Sequence, residues 1–377
     1  MLPTWIQNGR PVTVRVAGRP ITIHALPLVL IVLGLVYLVY PSKAPSYGYL
    51  PRQNTDDTLW GLHRTKSPFL VPPRDILPFH HKLPQIPDNF PEPVKPKTSG
   101  MRVPNSVHYV FGFKDVAEGQ SPDELPYYAY LGMRSALLNL RPTKMYFHYK
   151  HLPTGPWWEL IKPHLTLREM DPPEEIFGHK IHKFAHKADV ARMYAMKRSG
   201  GIYLDIDMFV VKPFDDLLYY PTTLGMELAT DSSRSPLDPQ GLCNAVIIAE
   251  PDSPFVDRWI AAYESFDPDD WAYHSVAKPW QLAREHPEEI QVLNATAFFW
   301  PMWHGNEVEK VHERDEYDFI RSGQYAYHAW ESLAMKYLRE LSPHSIRTED
   351  TSFHRLVRPF IGPEDDETYR KWKQGEK

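Results

Sequence analysis

The stretch HKADVARMYAMKRSGGIYLDIDMFVVKP, residues His186 to Pro213, decides the fold of this chain. Its first half is typical of a helix: alanines recur on one face at helical spacing, and Asp189 and Arg192 lie three residues apart. Gly200 and Gly201 follow, and a glycine after the last helical turn adopts the left-handed cap without a steric penalty. The pattern therefore predicts a helix that ends at the glycine pair.

The second half of the stretch predicts a buried strand that contains two carboxylates. Residues Ile202 to Val211 are apolar and rich in β-branched side chains apart from Asp205 and Asp207, which indicates a strand covered on both faces. Buried carboxylates are costly unless they are paired, hydrogen-bonded or bound to a metal.

The spacing of the two aspartates limits how they can bind one ion. Residues two apart point to the same face of a strand, with Cα atoms roughly 6.6 Å apart. Both carboxylates can then bind one ion only if the strand ends there or if one of them binds through water. Carboxylate oxygens suit Mg²⁺ or Mn²⁺, which accept phosphate oxygens as further ligands. We therefore expect a metal and diphosphate site, to which the preceding helix brings Asp189 and Arg192.

The helical Asp189-x-x-Arg192 followed by GGIYLDID, residues 200–207, resembles the DXD-containing signature of glycosyltransferase family 32. That family includes fungal Golgi mannosyltransferases, mannosyl inositol phosphorylceramide synthases, animal α-1,4-galactosyl- and N-acetylglucosaminyltransferases and, more distantly, clostridial toxin glucosyltransferases. A D-x-D alone is not specific, since Asp267-Pro268-Asp269 also matches it in a polar turn.

The resemblance implies a GT-A fold and a metal-dependent retaining hexosyltransferase. The donor would be a nucleotide-sugar, GDP-mannose or a UDP-hexose, the acceptor a glycan or glycolipid, and the cofactor Mn²⁺ or Mg²⁺.

The residue pattern and the resemblance together give expected roles to eight residues, of which Glu227 is named for its position one strand beyond the aspartate pair. The expected metal ligands are Asp207, Asp205 and His328, the last in a His-x-Trp motif, and the expected catalytic residues are Asp205, Asp207 and Arg192. The expected substrate-binding residues are Asp189, Arg192, Tyr203, Asn244 and Glu227. Structural alternatives stay open: Asp189 and Arg192 could form a helix-surface ion pair, Tyr203 could belong to the core, and Asn244 could satisfy a turn.

The rest of the chain alternates strands with helices, which predicts an α/β domain with a mostly parallel sheet. The predicted strands are 107–113, 145–149, 165–170, 202–211, 223–227, 241–249 and 290–301. The predicted helices are 127–140, 157–161, a long helix that Glu174 leads into, 254–263 and 280–285. Ligands collect at the carboxyl ends of the strands in such sheets, where the aspartate pair falls.

The N-terminal region predicts a membrane anchor. Residues 21–40 contain no Asp, Glu, Lys or Arg and are long enough to cross a bilayer as a helix. Arg10, Arg15 and Arg19 precede them, so the positive-inside rule places the N-terminus in the cytosol. The expected plan is a cytosolic tail (1–20), a transmembrane helix (21–40), a proline-rich stem (41–102) and a GT-A catalytic domain (103–377). The catalytic domain of this type II protein would face the lumen of the Golgi or ER. A cleaved signal peptide or a buried core helix is the alternative.

Composition and the competing functions complete the analysis. A formal charge of −5 gives no indication of a nucleic-acid partner, and Cys243 is the single cysteine, so no internal disulfide can form. Two other functions stay open: a phosphohydrolase of the haloacid-dehalogenase type, which also carries D-x-D after a strand, and a catalytically silent lumenal binding protein.

Overall fold

The computed structural model describes residues 12–16, 19–23, 100–228 and 239–375. The chain divides into two compact units, Met1–Ser46 and Tyr47–Lys377. The larger unit contains the predicted catalytic domain.

The smaller unit contains an antiparallel hairpin of β1 (Val12–Val16) and β2 (Arg19–Ile23). The first three residues of the predicted membrane span, 21–23, belong to β2, and residues 24–40 lie outside the described residues. The predicted stem lies outside them up to residue 99. Within the described ranges, the structure contains no helix with the length and hydropathy that a membrane span requires.

The larger unit is built on a seven-stranded sheet in the order β12-β10-β11-β8-β3-β4-β5. Four neighbouring pairs are parallel, and β11 is antiparallel to both of its neighbours. The strands of the larger unit are β3 (Ser106–Phe111), β4 (Lys144–Tyr149), β5 (Thr166–Glu169), β6 (Glu175–Ile176), β7 (His179–Lys180), β8 (Gly201–Leu204), β9 (Met208–Val210), β10 (Thr222–Glu227), β11 (Gly241–Ala249), β12 (Gln291–Leu293) and β13 (Ala326–His328). The predicted mixed α/β class with a mostly parallel sheet is confirmed.

Ten α-helices are described in the larger unit. They are α1 (Tyr127–Leu140), α2 (Pro156–Ile161), α3 (Phe184–Ser199), α4 (Pro254–Ala261), α5 (Lys278–Glu285), α6 (Glu307–Glu313), α7 (Glu331–Leu338), α8 (Pro343–Thr348), α9 (Ser352–Val357) and α10 (Asp365–Gln374). The segment that follows Glu174 leads into α3, but the short hairpin of β6 and β7, which the sequence did not predict, comes first.

The glycine pair ends α3 as predicted and also allows a close approach between strands. The Gly200 N–H donates to the Met196 carbonyl at 2.9 Å, and both glycines have positive φ, 59° and 109°. A Cβ on Gly201 would lie 2.7 Å from the carbonyl oxygen of Ser106 in the neighbouring strand β3. A side chain there would separate β8 from β3, so the second glycine is required by packing as well as by φ.

The predicted continuous strand from Ile202 to Val211 was wrong. Strand β8 leaves the central sheet after Leu204, and the Asp205 N–H still donates to the Ala245 carbonyl at 3.0 Å. The chain then turns, with the Met208 N–H donating to the Asp205 carbonyl at 3.1 Å. Strand β9 pairs with β13 in a separate two-stranded sheet. The aspartates therefore occupy a turn at the carboxyl end of β8, where their side chains can converge.

Helix α1 packs directly against this turn and β9. A Cβ on Gly132 would lie 2.8 Å from the Met208 carbonyl oxygen and 3.0 Å from that of Ile206. One and two turns further along, Ser135 Oγ accepts a hydrogen bond from the Val210 N–H at 2.7 Å and Asn139 Nδ2 donates to the Val210 carbonyl at 2.7 Å. One face of α1 thus fixes the backbone that carries the aspartates.

The C-terminal helix holds α1 in place through a buried carboxylate. Asp365, at the start of α10, is fully buried and accepts hydrogen bonds from the hydroxyls of Tyr127 and Tyr130, each at 2.8 Å. The Gly362 N–H donates to the same carboxylate at 2.9 Å. Three donors satisfy this charge, as burial requires.

Candidate active site

A cleft of about 660 Å³ opens at the carboxyl ends of β8 and β3. The structure brings all eight predicted site residues to the walls of this one cleft. They are Asp189, Arg192, Tyr203, Asp205, Asp207, Glu227, Asn244 and His328. The topology explains the position, because the chain continues from β3 to one side and returns through β8 on the other, and ligand sites form at such switch points.

Arg192 lies at the centre of one half of the site. Its Nη1 lies 2.8 Å from Asp205 Oδ1 and donates to the Asn244 carbonyl at 3.0 Å. Its Nη2 lies 3.4 Å from Asp189 Oδ1, and its guanidinium carbon lies 4.5 Å from the ring centroid of Tyr203. Burial alone would lower the pKa of Arg192, but Asp205 and its other anionic neighbours raise it above its ordinary value. The guanidinium is therefore a permanent positive charge with a fixed orientation.

Asn244 and Tyr203 complete this half of the site. Asn244 Nδ2 donates to Asp189 Oδ1 at 2.7 Å, and the Tyr203 hydroxyl donates to Asp205 Oδ1 at 2.6 Å. Burial raises the pKa of Asp189, although Arg192 and Asn244 act in the opposite direction. The helix-surface ion pair considered from the sequence does not describe this arrangement, because Asp189 and Arg192 are buried and belong to a five-residue polar network.

The second half of the site consists of Asp207 and His328. His328 Nε2 lies 3.2 Å from Asp207 Oδ1, and the Glu331 N–H donates to Asp207 Oδ2 at 2.9 Å. Burial alone would raise the pKa of Asp207, but His328 and the Glu331 amide hold it below its ordinary value. The same ion pair outweighs burial in raising the pKa of His328. The pairing of β9 with β13 places Met208 opposite His328, which explains how residues far apart in sequence meet here.

Asp205, Asp207 and His328 form the one described group of potential metal ligands that lines the cleft. Each offers one ligand atom, and the three atoms lie within 4.8 Å of one another. The turn after β8 thus removes the separation that a regular strand would impose on the two aspartates. Two carboxylates and an imidazole fit a divalent transition metal such as Mn²⁺ better than Mg²⁺, which prefers oxygen ligands.

Glu227 lies at the end of β10, where sequence analysis placed it as a substrate-binding candidate. It is buried, and Oε1 accepts a hydrogen bond from Trp303 Nε1 at 2.9 Å. Cys243 lies in the same wall, and burial raises the pKa of its thiol well above the usual range. This cysteine is therefore a neutral thiol and a poor nucleophile.

Sequence reasoning missed two residues of the cleft wall, Trp303 and Glu331. Trp303 orients Glu227. Glu331 contributes its backbone amide to Asp207, while its side chain accepts a hydrogen bond from the Tyr128 hydroxyl. Burial raises the pKa of Glu331. Its place directly after the His-x-Trp motif was the only signal in the sequence.

Several solved glycosyltransferase structures are similar to this chain at low identity. The PaToxG glycosyltransferase is 16% identical, with a TM-score of 0.33, over 49% of this chain and 70% of that chain. The bifunctional glycosyltransferase WbbM is 13% identical, with a TM-score of 0.41, over 74% of this chain and 53% of that chain. The galactosyltransferase LgtC, solved with donor and acceptor sugar analogues, is 12% identical, with a TM-score of 0.34, over 70% and 99% respectively.

Sequence comparisons identify the family. The family model of the glycosyltransferase sugar-binding region containing the DXD motif matches residues 139–224. Glucan organizing enzyme 1 of Cryptococcus neoformans var. grubii serotype A is 59% identical over 376 residues, covering 100% of both chains. The phosphohydrolase and the catalytically silent binding protein are therefore not supported. The chain is an enzyme and belongs to the family of glycosyltransferases whose sugar-binding region contains a DXD motif.

Proposed function

We propose that this enzyme is a metal-dependent, retaining GT-A glycosyltransferase that transfers a hexose from a nucleotide-sugar to a glycan. The observation that carries the proposal is the convergence of Asp205, Asp207 and His328 within 4.8 Å in the cleft that Arg192 also lines. Buried acids and a fixed cation in one cleft fit a nucleoside diphosphate bound through a divalent ion.

Asp205, Asp207 and His328 would hold Mn²⁺. When bound, this ion supplies positive charge that stabilises the departing diphosphate. The Glu331 amide supports the site because it fixes Asp207 by a hydrogen bond at 2.9 Å.

The network around Arg192 would bind the donor hexose and its diphosphate. Asp189 and Asn244 are already joined at 2.7 Å, so both are held in place for sugar hydroxyls. The Tyr203 hydroxyl fixes Asp205, and its ring supports the guanidinium. Such preorganisation lowers the cost of reaching the transition state.

We infer retention by attack from the same face of the sugar. The bond between the anomeric carbon and the β-phosphate oxygen breaks, the acceptor hydroxyl oxygen forms the new bond, and its proton moves to the leaving phosphate oxygen. Glu227 is the carboxylate to test as an alternative nucleophile, because it is buried in the cleft wall and hydrogen-bonded to Trp303. A covalent glycosyl-Glu227 trapped by mass spectrometry would contradict same-face attack.

Two features outside the site support the proposed setting. The relative's name includes glucan, which supports a glycan acceptor over a glycolipid.

The uncharged residues 21–40 support a single-pass anchor, with the catalytic domain lumenal in the Golgi or ER. Protease protection of a C-terminal epitope in sealed microsomes tests the orientation, and digestion without detergent would contradict it.

A donor panel tests the proposed function. The purified full-length protein would be incubated with GDP-mannose, UDP-glucose, UDP-galactose and UDP-N-acetylglucosamine, with Mn²⁺ or with EDTA, while released nucleotide is measured. We expect release from one donor, its loss with EDTA and its loss in Asp207→Asn. Asp269→Asn, in the exposed second D-x-D, is the matched control and should behave as wild type. Release that is insensitive to EDTA and to Asp207→Asn would refute the proposal.

A further inference from the structure

An exposed indole lies in the wall of the cleft. Trp271 is 64% exposed although it lines the same cavity as the aspartates. Leu333, at the start of α7, also lines the cavity and is 52% exposed. The other exposed large apolar side chains of the described residues line no part of this cleft; they are Leu138, Phe184, Ile320 and Trp372. Exposed apolar side chains grouped at a cleft mark a ligand surface.

The backbone around Trp271 is held in one conformation. Asp270 Oδ1 accepts hydrogen bonds from the N–H groups of Ala272 and Tyr273, at 3.1 Å and 2.9 Å. A π-helical turn follows at Tyr273–Ala277, and such turns are frequent at functional sites. A Cβ on Gly241 would lie 2.1 Å from the Val276 carbonyl oxygen, so the turn packs directly on the first residue of β11. Trp271 is therefore presented to solvent by a fixed support.

His186 lies beside the indole with unsatisfied polar atoms. It is 3% exposed, lines the cleft, and its ring centroid lies 5.6 Å from that of Trp271. Neither of its ring nitrogens has a hydrogen-bond partner among the described residues. Buried polar atoms are nearly always paired in folded proteins, with protein groups or with water, so the cleft must supply a partner for His186 from water or from a bound ligand.

The segment 271–276 is also uncharged where it faces the cleft. Its cleft-lining residues are Trp271, Ala272, Ser275 and Val276, which carry no formal charge. An anionic ligand gains nothing from these four side chains, and Lys183, whose Nζ lies 5.6 Å from the Trp271 ring centroid, does not line the cleft. A neutral hexose has an apolar face of C–H groups, which suits an indole, and a rim of hydroxyls, which suits an imidazole and a serine.

We propose that Trp271, Ser275 and His186 form the acceptor subsite, and that the acceptor is a neutral oligosaccharide. This inference rests on the proposed function, since it names the acceptor of that reaction. A hexose of the acceptor stacks on the Trp271 ring, and its hydroxyls bond to His186 and Ser275.

Two measurements on the full-length protein test the subsite. Calorimetry measures binding of neutral gluco- and manno-oligosaccharides without any donor, and an enzyme assay measures nucleotide release with and without the oligosaccharide. The variants are Trp271→Ala, Trp271→Phe, which keeps an aromatic ring, and Phe184→Ala. Phe184 is the matched control because it is an exposed aromatic residue on α3 that does not line the cleft.

In Trp271→Ala we expect a loss of oligosaccharide affinity and a rise in acceptor KM of about tenfold, which corresponds to about 1.4 kcal/mol. Phe184→Ala should leave oligosaccharide binding, acceptor KM and acceptor-independent nucleotide release within about twofold of wild type, and Trp271→Phe should recover part of the loss. Unchanged oligosaccharide binding in Trp271→Ala would overturn the inference, as would wild-type binding confined to lipid-linked or phosphorylated glycans. Oligosaccharide binding that depends on Trp271, together with no nucleotide release from any donor, would support the subsite and refute the proposed function instead.

Discussion

Substitution of Gly132 by alanine tests whether helix α1 positions the turn that carries Asp205 and Asp207. In a helix without tertiary contacts, alanine is favoured over glycine by about 0.8–1.0 kcal/mol. At this position an added Cβ would lie 2.8 Å from the Met208 carbonyl oxygen and 3.0 Å from that of Ile206. Both neighbours are backbone atoms, so neither can rotate away, and either the helix or the turn must move.

Helix propensity and overpacking have opposite effects on the stability of Gly132→Ala, but only overpacking affects its activity. Overpacking of a well-packed site typically costs about 1–3 kcal/mol, so the helix propensity offsets part of it and a net loss of about 0–2 kcal/mol remains. The movement falls on the turn that carries Asp205 and Asp207, and a displacement approaching 1 Å at a catalytic site can cost about 100-fold in rate. We therefore expect a 10- to 100-fold lower kcat for nucleotide release, with only a small change in the urea midpoint.

The assay compares Gly132→Ala with Leu138→Ala. Leu138 lies on the exposed side of the same helix, at 44% exposure, so its substitution should leave both kcat and stability near wild type. A Gly132→Ala protein that is more stable than wild type and equally active would refute the reasoning, because helix propensity would then have acted without any displacement of the turn.

Three further predictions concern charge and burial. Burial lowers the pKa of both His108 and His312 to about 3, whereas the unfolded chain takes up these protons near pH 6.5. The free energy of unfolding is therefore unaffected by these histidines above pH 6.5. It falls as the pH decreases towards 3, by about 1.4 kcal/mol per pH unit for each histidine. Urea unfolding between pH 7 and 5 should show this loss, and His312→Phe should reduce the slope; an unchanged slope would contradict the assignment. Arg192→Lys keeps the charge but cannot reproduce the fixed set of guanidinium contacts, so kcat/KM should fall at least about 100-fold. The control Arg198→Lys, on the same helix, should keep kcat/KM within about twofold of wild type. A near-normal kcat/KM in Arg192→Lys would exclude a geometric role for the guanidinium. Asp365→Asn weakens the charge-assisted hydrogen bonds from two tyrosine hydroxyls of α1. The free energy of unfolding should fall by about 1–3 kcal/mol. An unshifted urea midpoint would show that this carboxylate does not hold the C-terminal helix.

Elements whose signals are local could be predicted from the sequence. The bounds of α1 and β11 agree with the prediction, and the glycine pair after α3 ends that helix as expected. Prolines, glycines and polar residues bound these segments within a few positions, so no distant contact is needed to locate them.

Breaks inside apolar runs could not be predicted in the same way. Residues 202–211 have the same β-branched composition whether they continue in one sheet or move to a second one. The move depends on β13, which lies more than a hundred residues later in the sequence and pairs with β9. The run 290–301 was also predicted as one strand, but β12 ends at Leu293 because Asn294 accepts a hydrogen bond from the Thr296 N–H and begins a 3₁₀ turn. A single asparagine within an apolar run was a signal for that break.

The site residues also fall into those with a local sequence signal and those without one. Those that act through a distinctive side chain, such as Arg192 and His328, are part of a recognisable pattern, and the structure brings them to one cleft. Glu331 fixes Asp207 with its backbone N–H, a group that nearly every residue has, and Gly132 acts through the absence of a side chain. Neither contribution has a chemical signature in the sequence, although both determine where the Asp207 carboxylate points. Sequence therefore identifies the candidate site residues that act through their side chains. The residues that set the positions of those side chains follow only from coordinates, since the positions depend on how close two backbones come.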